Sequence, residues 1–360
     1  MIDFIPLEYY FSIFINGTLT VLLFTMIHTI VLKIDDPRNI VYINVIGYSA
    51  LIFLIFYIGL RPVSGRYFVD MRTYANHFEH YAYGGSVVTN KDVFFHYFMQ
   101  LCSNFVTVNG FFFICGFVYL FPMYKVSKVF FKEYWFYSFL MLIASFSFWT
   151  YGVNGIRNGM ATSLFLWAIA YHHKKVIMFS FFILAALVHK TLLLPIGGYL
   201  ITLFYNKPKV FLGFWLFSIP LSIVLGGFWI SLFTSLGFGD DRMDAYLSGG
   251  SGSSFRYDFL IYSASAVVTG WYFIFKKKFD DHIYNHIFNT YLITNAFWIL
   301  VIRANFSNRF AYLSWFMMAV VIIYPFLKCK IKKQHILVGR ALFLYFAFTY
   351  FMVFVYYDKF

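Results

Sequence analysis

The sequence predicts an all-α polytopic membrane protein: roughly twelve transmembrane helices joined by short loops, with an amphipathic or re-entrant segment on the outer face. Three observations predict it. The 360 residues are 61% hydrophobic and 12% charged, about half the charge of an ordinary soluble domain. Apolar runs of about 18 residues or more recur along the whole length. The two kinds of positive charge also separate. If successive runs cross in alternation, 15 of 18 Lys fall on one face and 8 of 10 Arg on the other. The longest polar interval is about 30 residues, too short for a soluble domain, so residues 1–360 read as a single integral membrane domain.

The elements follow in order, with boundaries good to about a few residues. The first run, roughly 9–32, has no basic leader and reads as a retained helix. It leads to Lys33, Asp35, Asp36 and Arg38. A second run, roughly 40–60, returns to a polar stretch from Arg61 to Asp92 with aromatics at helical spacing. The run at about 93–124 is long for one span and breaks near Val108-Asn109-Gly110, which predicts a short interfacial or re-entrant helix followed by one crossing. Shorter runs follow at roughly 134–151, 156–171, 176–188 and 191–205, with tilt or local thinning expected. A run at roughly 210–236 precedes an outer loop, Gly237–Arg256, rich in Gly, Ser and Asp. Four more runs, at about 257–275, 284–302, 310–327 and 336–357, complete the chain.

The Lys clusters mark the cytoplasmic side, because insertion retains Lys and Arg inside. The net charge of +13 therefore reflects membrane topology and not nucleic-acid binding. Arginines on the translocated side run against that bias. Arg presents a rigid fork, always charged, that matches phosphate or carboxylate. An outer face that handles an anionic substrate follows.

Arg61, Arg66 and Arg72 lie within 12 residues on that face. If the chain is helical after Phe68, Asp70, Tyr74, His77 and Tyr81 share one side at i, i+4, i+7 and i+11. Arg66 and Asp70 are spaced to pair. A face of carboxylate, phenol and imidazole suits hydroxyl-rich ligands such as sugars; an interfacial helix with an aromatic belt is the plainer reading. Arg157 opens a helix after Gly152-Val153-Asn154-Gly155, where helix N-terminus and guanidinium both attract anions. His189 ends an apolar run and precedes Lys190-Thr191; an imidazole there is suited to general-base work. Arg303 and Arg309 bracket a short outer turn; together with Arg157 and the group Arg61, Arg66 and Arg72 they are suited to enclose a diphosphate, with Tyr74 on the sugar. His172-His173 beside Lys174-Lys175 reads as a solvated turn, and Cys102, Cys115 and Cys329 read as apolar filler. No His, Cys or acidic cluster has metal-ligand spacing, so no metal site is expected.

Four segments, in order across about residues 55–315, resemble the EpsG-type polysaccharide polymerases, close to the Wzy O-antigen polymerases. They are Arg61-Pro62 with Asp70 and Tyr74; Ile156-Arg157-Asn158-Gly159-Met160-Ala161; Ala185-Ala186-Leu187-Val188-His189-Lys190-Thr191; and Arg309 with Tyr312. Asn158 stands where the family usually has Gln, and Phe68 where it usually has Gly.

The resemblance implies a multi-pass protein of the bacterial inner (cytoplasmic) membrane whose active site faces the periplasm. Its substrate would be an oligosaccharide linked to undecaprenyl diphosphate. The growing glycan would move from its lipid diphosphate to the non-reducing end of a new lipid-linked repeat unit, without nucleotide sugar or other cofactor. Arg157, Arg303 and Arg309 would hold the diphosphate, and His189 or Asp70 would deprotonate the acceptor hydroxyl, with His189 favoured. Membrane lipid and a Wzz-type chain-length regulator are expected partners, and nucleic acid is not. A lipid-linked oligosaccharide flippase or transporter and an O-antigen ligase are the competing readings. The first predicts charge at the helix centres, which the runs scarcely carry; the second predicts one large, late outer loop.

Overall fold

The computed structural model describes residues 4–87, 89, 92–235, 255–304 and 307–356, except for the side chains of 234 and 235. Most of the expected loop Gly237–Arg256, with Arg242, lies outside the described residues. Among the described residues every regular element is helical. The chain forms two compact units, Met1–Leu192 with Phe326–Phe360, and Leu193–Pro325.

The first unit contains α1 (Tyr10–Val31), α2 (Pro37–Gly59), α3 (Asp70–Ala82), α4 (Val93–Ser103), α5 (Val108–Phe131), α6 (Trp135–Ile143), α7 (Ile156–Ala170) and α8 (Lys175–Val188). The second contains α9 (Leu193–Phe204), α10 (Pro208–Ser235), α11 (Tyr257–Trp271), α12 (His282–Leu300) and most of α13 (Asn308–Lys328); α14 (Gln334–Phe351) returns to the first. The break expected near Val108 is present. α4 ends at Ser103, and Thr107 caps α5 by accepting the Gly110 N–H at 3.3 Å. α2 starts on an Asp36 cap with Pro37 in its first turn, a strong local start signal.

Among the described residues seven helical stretches are long and apolar enough, by length and composition, to cross a membrane: Leu7–Val31, Pro37–Gly59, Val108–Ile143, Pro208–Phe233, Tyr257–Lys276, Asn308–Lys328 and Gln334–Tyr356. This corrects the expected count of twelve. The runs read at 156–171, 176–188 and 191–205 form helices of 15, 14 and 12 residues. At 1.5 Å per residue these reach about 18–23 Å, short of a hydrocarbon core of about 30 Å. α12 has 19 residues, but His282, Asn285, His286, Asn289, Thr290, Thr294 and Asn295 punctuate it.

In the first unit α2 and α5 approach closely through glycine. A Cβ added at Gly116 would stand 3.1 Å from the Cα of Gly59, the small-residue contact favoured where lipid supplies no hydrophobic drive between helices. In the second unit a buried polar network joins four helices. Asn295 accepts from Trp215 Nε1 at 2.7 Å and donates to Ser263 Oγ at 3.2 Å and Ser314 Oγ at 2.9 Å, while Trp315 Nε1 donates to Ser263 Oγ at 2.7 Å. Each polar group of this network thereby keeps a partner.

Three Lys-bearing turns of the first unit lie together, those at Lys33, at Lys132 and at Lys328–Lys333. Lys33, Lys328, Lys330 and Lys333, with Asp35, line a cavity of about 520 Å³. Lys132 and Glu133 line a neighbouring one of about 330 Å³.

Candidate active site

At the other end of α2, Arg61 is 2% exposed. Its guanidinium donates to Ile58 O, and through Nη2 to Val153 O at 3.0 Å, between the rings of Phe68 and Phe112. Burial lowers its pKa to about 10, so it remains charged at neutral pH. Arg61 was expected on the ligand; the structure instead gives it two backbone carbonyls. Val153 belongs to a π-helical turn, Thr150–Asn154, whose wide i→i+5 bond runs from Gly155 N to Thr150 O at 2.8 Å. Such turns recur at functional sites. Arg61 thus fastens the turn from which α7 starts. Gly159 follows one turn into α7, where a Cβ would clash with the carbonyl oxygen of Tyr151.

That start aims Arg157 at two partners. Nε donates to Tyr74 Oη at 3.0 Å, and Nη1 pairs with Asp92 Oδ2 at 2.8 Å. The Arg157 side chain is 26% exposed and that of Asp92 is 7% exposed. Asp92 precedes α4 with φ 46° and ψ 44°, the left-handed region, which Asp tolerates better than most residues. Its carboxylate makes no helix cap. It turns instead to Arg157, to the Lys190 N–H at 3.3 Å through Oδ1, and to His189 Nε2 at 3.8 Å through Oδ2.

His189 leaves α8 in extended backbone. Its Nδ1 accepts the Thr191 N–H at 3.3 Å and faces Thr191 Oγ1 at 2.9 Å. The first contact places the ring hydrogen of the neutral imidazole on Nε2, toward Asp92. Thr191 Oγ1 also reaches Asn158 Oδ1 at 3.4 Å. Asn158 and Arg157 are adjacent in the α7 motif, so two turns of sequence, 157–158 and 189–191, interlock around one carboxylate.

The face of α3 has the expected order. Tyr74 bonds Arg157, and Tyr81 Oη lies 2.9 Å from His96 Nδ1 with the His77 ring edge-on to His96 at 5.2 Å. Burial raises the pKa of Tyr74, lowers that of His77, and brings His96 down to about 4. Asp70 opens α3 and is exposed; among the described residues it forms no ion pair with Arg66, which is exposed and lies over the Tyr67 ring at 5.4 Å. Arg72 is exposed, with its stem against Gly65. Arg303 and Arg309 belong to the second unit. Arg303 packs its Cδ beside Gly226, next to the kink of α10 at Leu225, and Arg309 is exposed in the first turn of α13. Arg256 pairs with Asp258 at 2.6 Å.

Three members of the cluster escape sequence reasoning: Asp92, Asn158 and Thr191. Asn158 and Thr191 stand inside recognised motifs, but only as marks of resemblance. Asp92 had one signal, a carboxylate at the foot of an apolar run. The described residues hold no group of three His, Cys, Asp or Glu side chains placed to bind a metal.

No curated protein and no solved structure matches the chain. The sequence matches the EpsG family over residues 49–360, a stretch that contains Tyr74, Asp92, Arg157, His189 and Thr191. With most of its length matched, the chain belongs to the EpsG family, a family of the polysaccharide-polymerase type.

Proposed function

We propose that the protein is a membrane glycosyltransferase that polymerises a lipid-linked polysaccharide, taking the growing glycan from undecaprenyl diphosphate to the non-reducing end of a lipid-linked repeat unit. The observation that carries the reading is the convergence of a partly exposed Arg157 and a His189 whose Nδ1 is held as the accepting nitrogen. One supplies fixed positive charge for a leaving diphosphate, and the other a base for a sugar hydroxyl.

The step follows from those atoms. The Thr191 hydroxyl turns its hydrogen to Asn158 Oδ1, and the incoming sugar hydroxyl displaces the long Thr191 N–H contact from the single lone pair of His189 Nδ1. An acceptor hydroxyl donates to Nδ1, its oxygen attacks the anomeric carbon of the donor, and its proton passes to the imidazole. The bond from that carbon to the diphosphate oxygen breaks, and the electron pair leaves with undecaprenyl diphosphate, where Arg157 stabilises the growing charge. His189 serves as base in preference to Asp70, because Asp70 is exposed at the head of α3. Tyr74 orients Arg157. Arg309 is assigned to an anionic ligand on its motif with Tyr312, and Arg303 on its place in the same outer turn. The Arg face is taken as periplasmic and the Lys face as cytoplasmic, from the insertion bias. A Wzz-type chain-length regulator is a proposed partner.

The test is incubation of the purified protein in nanodiscs with its own lipid-diphosphate-linked repeat unit, without nucleotide sugar or metal, read as a glycan ladder. A ladder that disappears with Arg157→Ala and with His189→Ala supports the site. A folded wild-type protein that makes no ladder from verified substrate refutes the polymerase reading.

A further inference from the structure

Asp92 touches both working residues of the cluster, and it does so with a single atom. Oδ2 lies 2.8 Å from Arg157 Nη1 and 3.8 Å from His189 Nε2. The first distance is that of a charge-assisted hydrogen bond; the second exceeds a hydrogen bond. Arg157 therefore holds the oxygen, and the imidazole is left one step away. The other oxygen is anchored to the Lys190 N–H at 3.3 Å, so the carboxylate has a pivot about which Oδ2 can swing.

The same guanidinium is the group assigned to the diphosphate. Its Nε is committed to Tyr74, which leaves the fork edge that Asp92 holds as the place where an incoming anion binds. A diphosphate carries more charge than one carboxylate and presents paired oxygens to that fork. Asp92, at 7% exposure, has little water to turn to when displaced and needs another cation or donor. Among the described residues His189 Nε2–H offers one at 3.8 Å, about 0.6 Å beyond hydrogen-bond reach.

We propose that Asp92 occupies the anion seat of Arg157, that a phosphate-bearing ligand displaces it, and that the released carboxylate moves onto His189 Nε2–H. Arrival of the donor thereby sets the base. A carboxylate on Nε2–H fixes the imidazole in the orientation that presents Nδ1 and stabilises the imidazolium formed when Nδ1 takes a proton. The acceptor hydroxyl is then activated only when a leaving group is in place. Asp92 is a positioning residue that acts through Arg157 and His189. The link to turnover rests on the polymerase reading; the competition for Arg157 does not.

Inorganic pyrophosphate is the probe, titrated calorimetrically into the full-length protein in detergent, with polymerisation kinetics on the same preparations. Asp92→Asn keeps the shape and removes the competing charge. It is expected to bind pyrophosphate about ten-fold tighter than wild type and to turn over about 10²-fold more slowly at saturating donor. Arg157→Gln is expected to lose pyrophosphate binding. Asp92→Glu is expected to restore weaker binding and part of the turnover. A variant that is merely misfolded loses both properties together, so the opposite signs identify the exchange. Repeating the titration with a short prenyl diphosphate separates lipid-borne from free diphosphate: a tighter fit for the prenyl form supports the donor as the natural displacer. The proposal is overturned if folded Asp92→Asn binds pyrophosphate no tighter than wild type, if no variant binds it, or if Asp92→Asn polymerises at the wild-type rate. Tighter binding by Asp92→Asn with no ladder from the wild type supports the exchange and refutes the polymerase reading.

Discussion

Arg157 and Asp92, 65 residues apart in sequence, meet at 2.8 Å while the same guanidinium donates to Tyr74 at 3.0 Å. Two bonds from two edges of one planar group require arginine. Arg157→Lys keeps the charge but supplies one compact donor head for both partners. Its polymerisation rate is expected to fall about 10²-fold, and that of Arg157→Ala about 10³-fold. Ladder kinetics on matched quantities of folded protein check this; a Lys variant at wild-type speed contradicts the two-edge geometry.

Thr191 should act through its hydroxyl. Oγ1 lies 2.9 Å from His189 Nδ1 and 3.4 Å from Asn158 Oδ1. Thr191→Ser retains both contacts and is expected to keep most activity. Thr191→Val removes them at nearly constant volume, and a loss of about ten-fold in turnover is expected. Equal rates in the two variants would mean the hydroxyl has no part in the reaction.

Arg61 should govern stability. Removing its side chain strips partners from the carbonyls of Ile58 and Val153 in a buried place. With each orphaned group costing about 1–3 kcal/mol, Arg61→Ala is expected to lower the thermal unfolding midpoint by several degrees. Arg66→Ala, at an exposed position, is expected to leave it unchanged. Thermal scans of the two proteins in the same detergent decide between these roles.

Gly159 has no room for a methyl group, because a Cβ there would clash with the Tyr151 carbonyl oxygen and stand 3.1 Å from the Tyr119 ring. Gly159→Ala must displace the π-helical turn or the start of α7. The expectation is a drop in both folded yield and activity. Gly197→Ala, where nothing lies within 4 Å, is the control and should resemble wild type.

His96 should make the protein acid-sensitive. It is 5% exposed, and burial brings its pKa from 6.5 to about 4. The unfolded chain therefore binds a proton that the folded protein refuses between those values, so stability falls as pH drops from about 6.5 to about 4. His77 shifts in the same direction, through burial and the charges of His80 and Arg157. His96→Gln keeps an acceptor for Tyr81 but does not titrate, so its unfolding midpoint should fall less between pH 7 and pH 5 than that of wild type. Parallel pH profiles for the two would refute the assignment.

The all-helical membrane class, the gathering of Lys turns, the break between α4 and α5, and the shared face of Tyr74, His77 and Tyr81 were all legible in the sequence. Each rests on composition or on a period of 3.6, and both are local quantities. Arg157 and His189 were legible as charged or titratable residues in unusual places. The number of spans was not, because an apolar run signals burial in lipid and burial in protein alike; among the described residues, length sets the seven long apolar stretches apart from the shorter α7, α8 and α9. Arg61 looked like its neighbours Arg66 and Arg72 until the fold gave it two carbonyls. Asp92 was passed over because its meaning depends on partners 65 and 97 or more residues away, in two different turns. A carboxylate has no periodicity. Its role comes from which groups the tertiary structure brings within 4 Å of it, and among the described residues Arg157 and His189 are brought there.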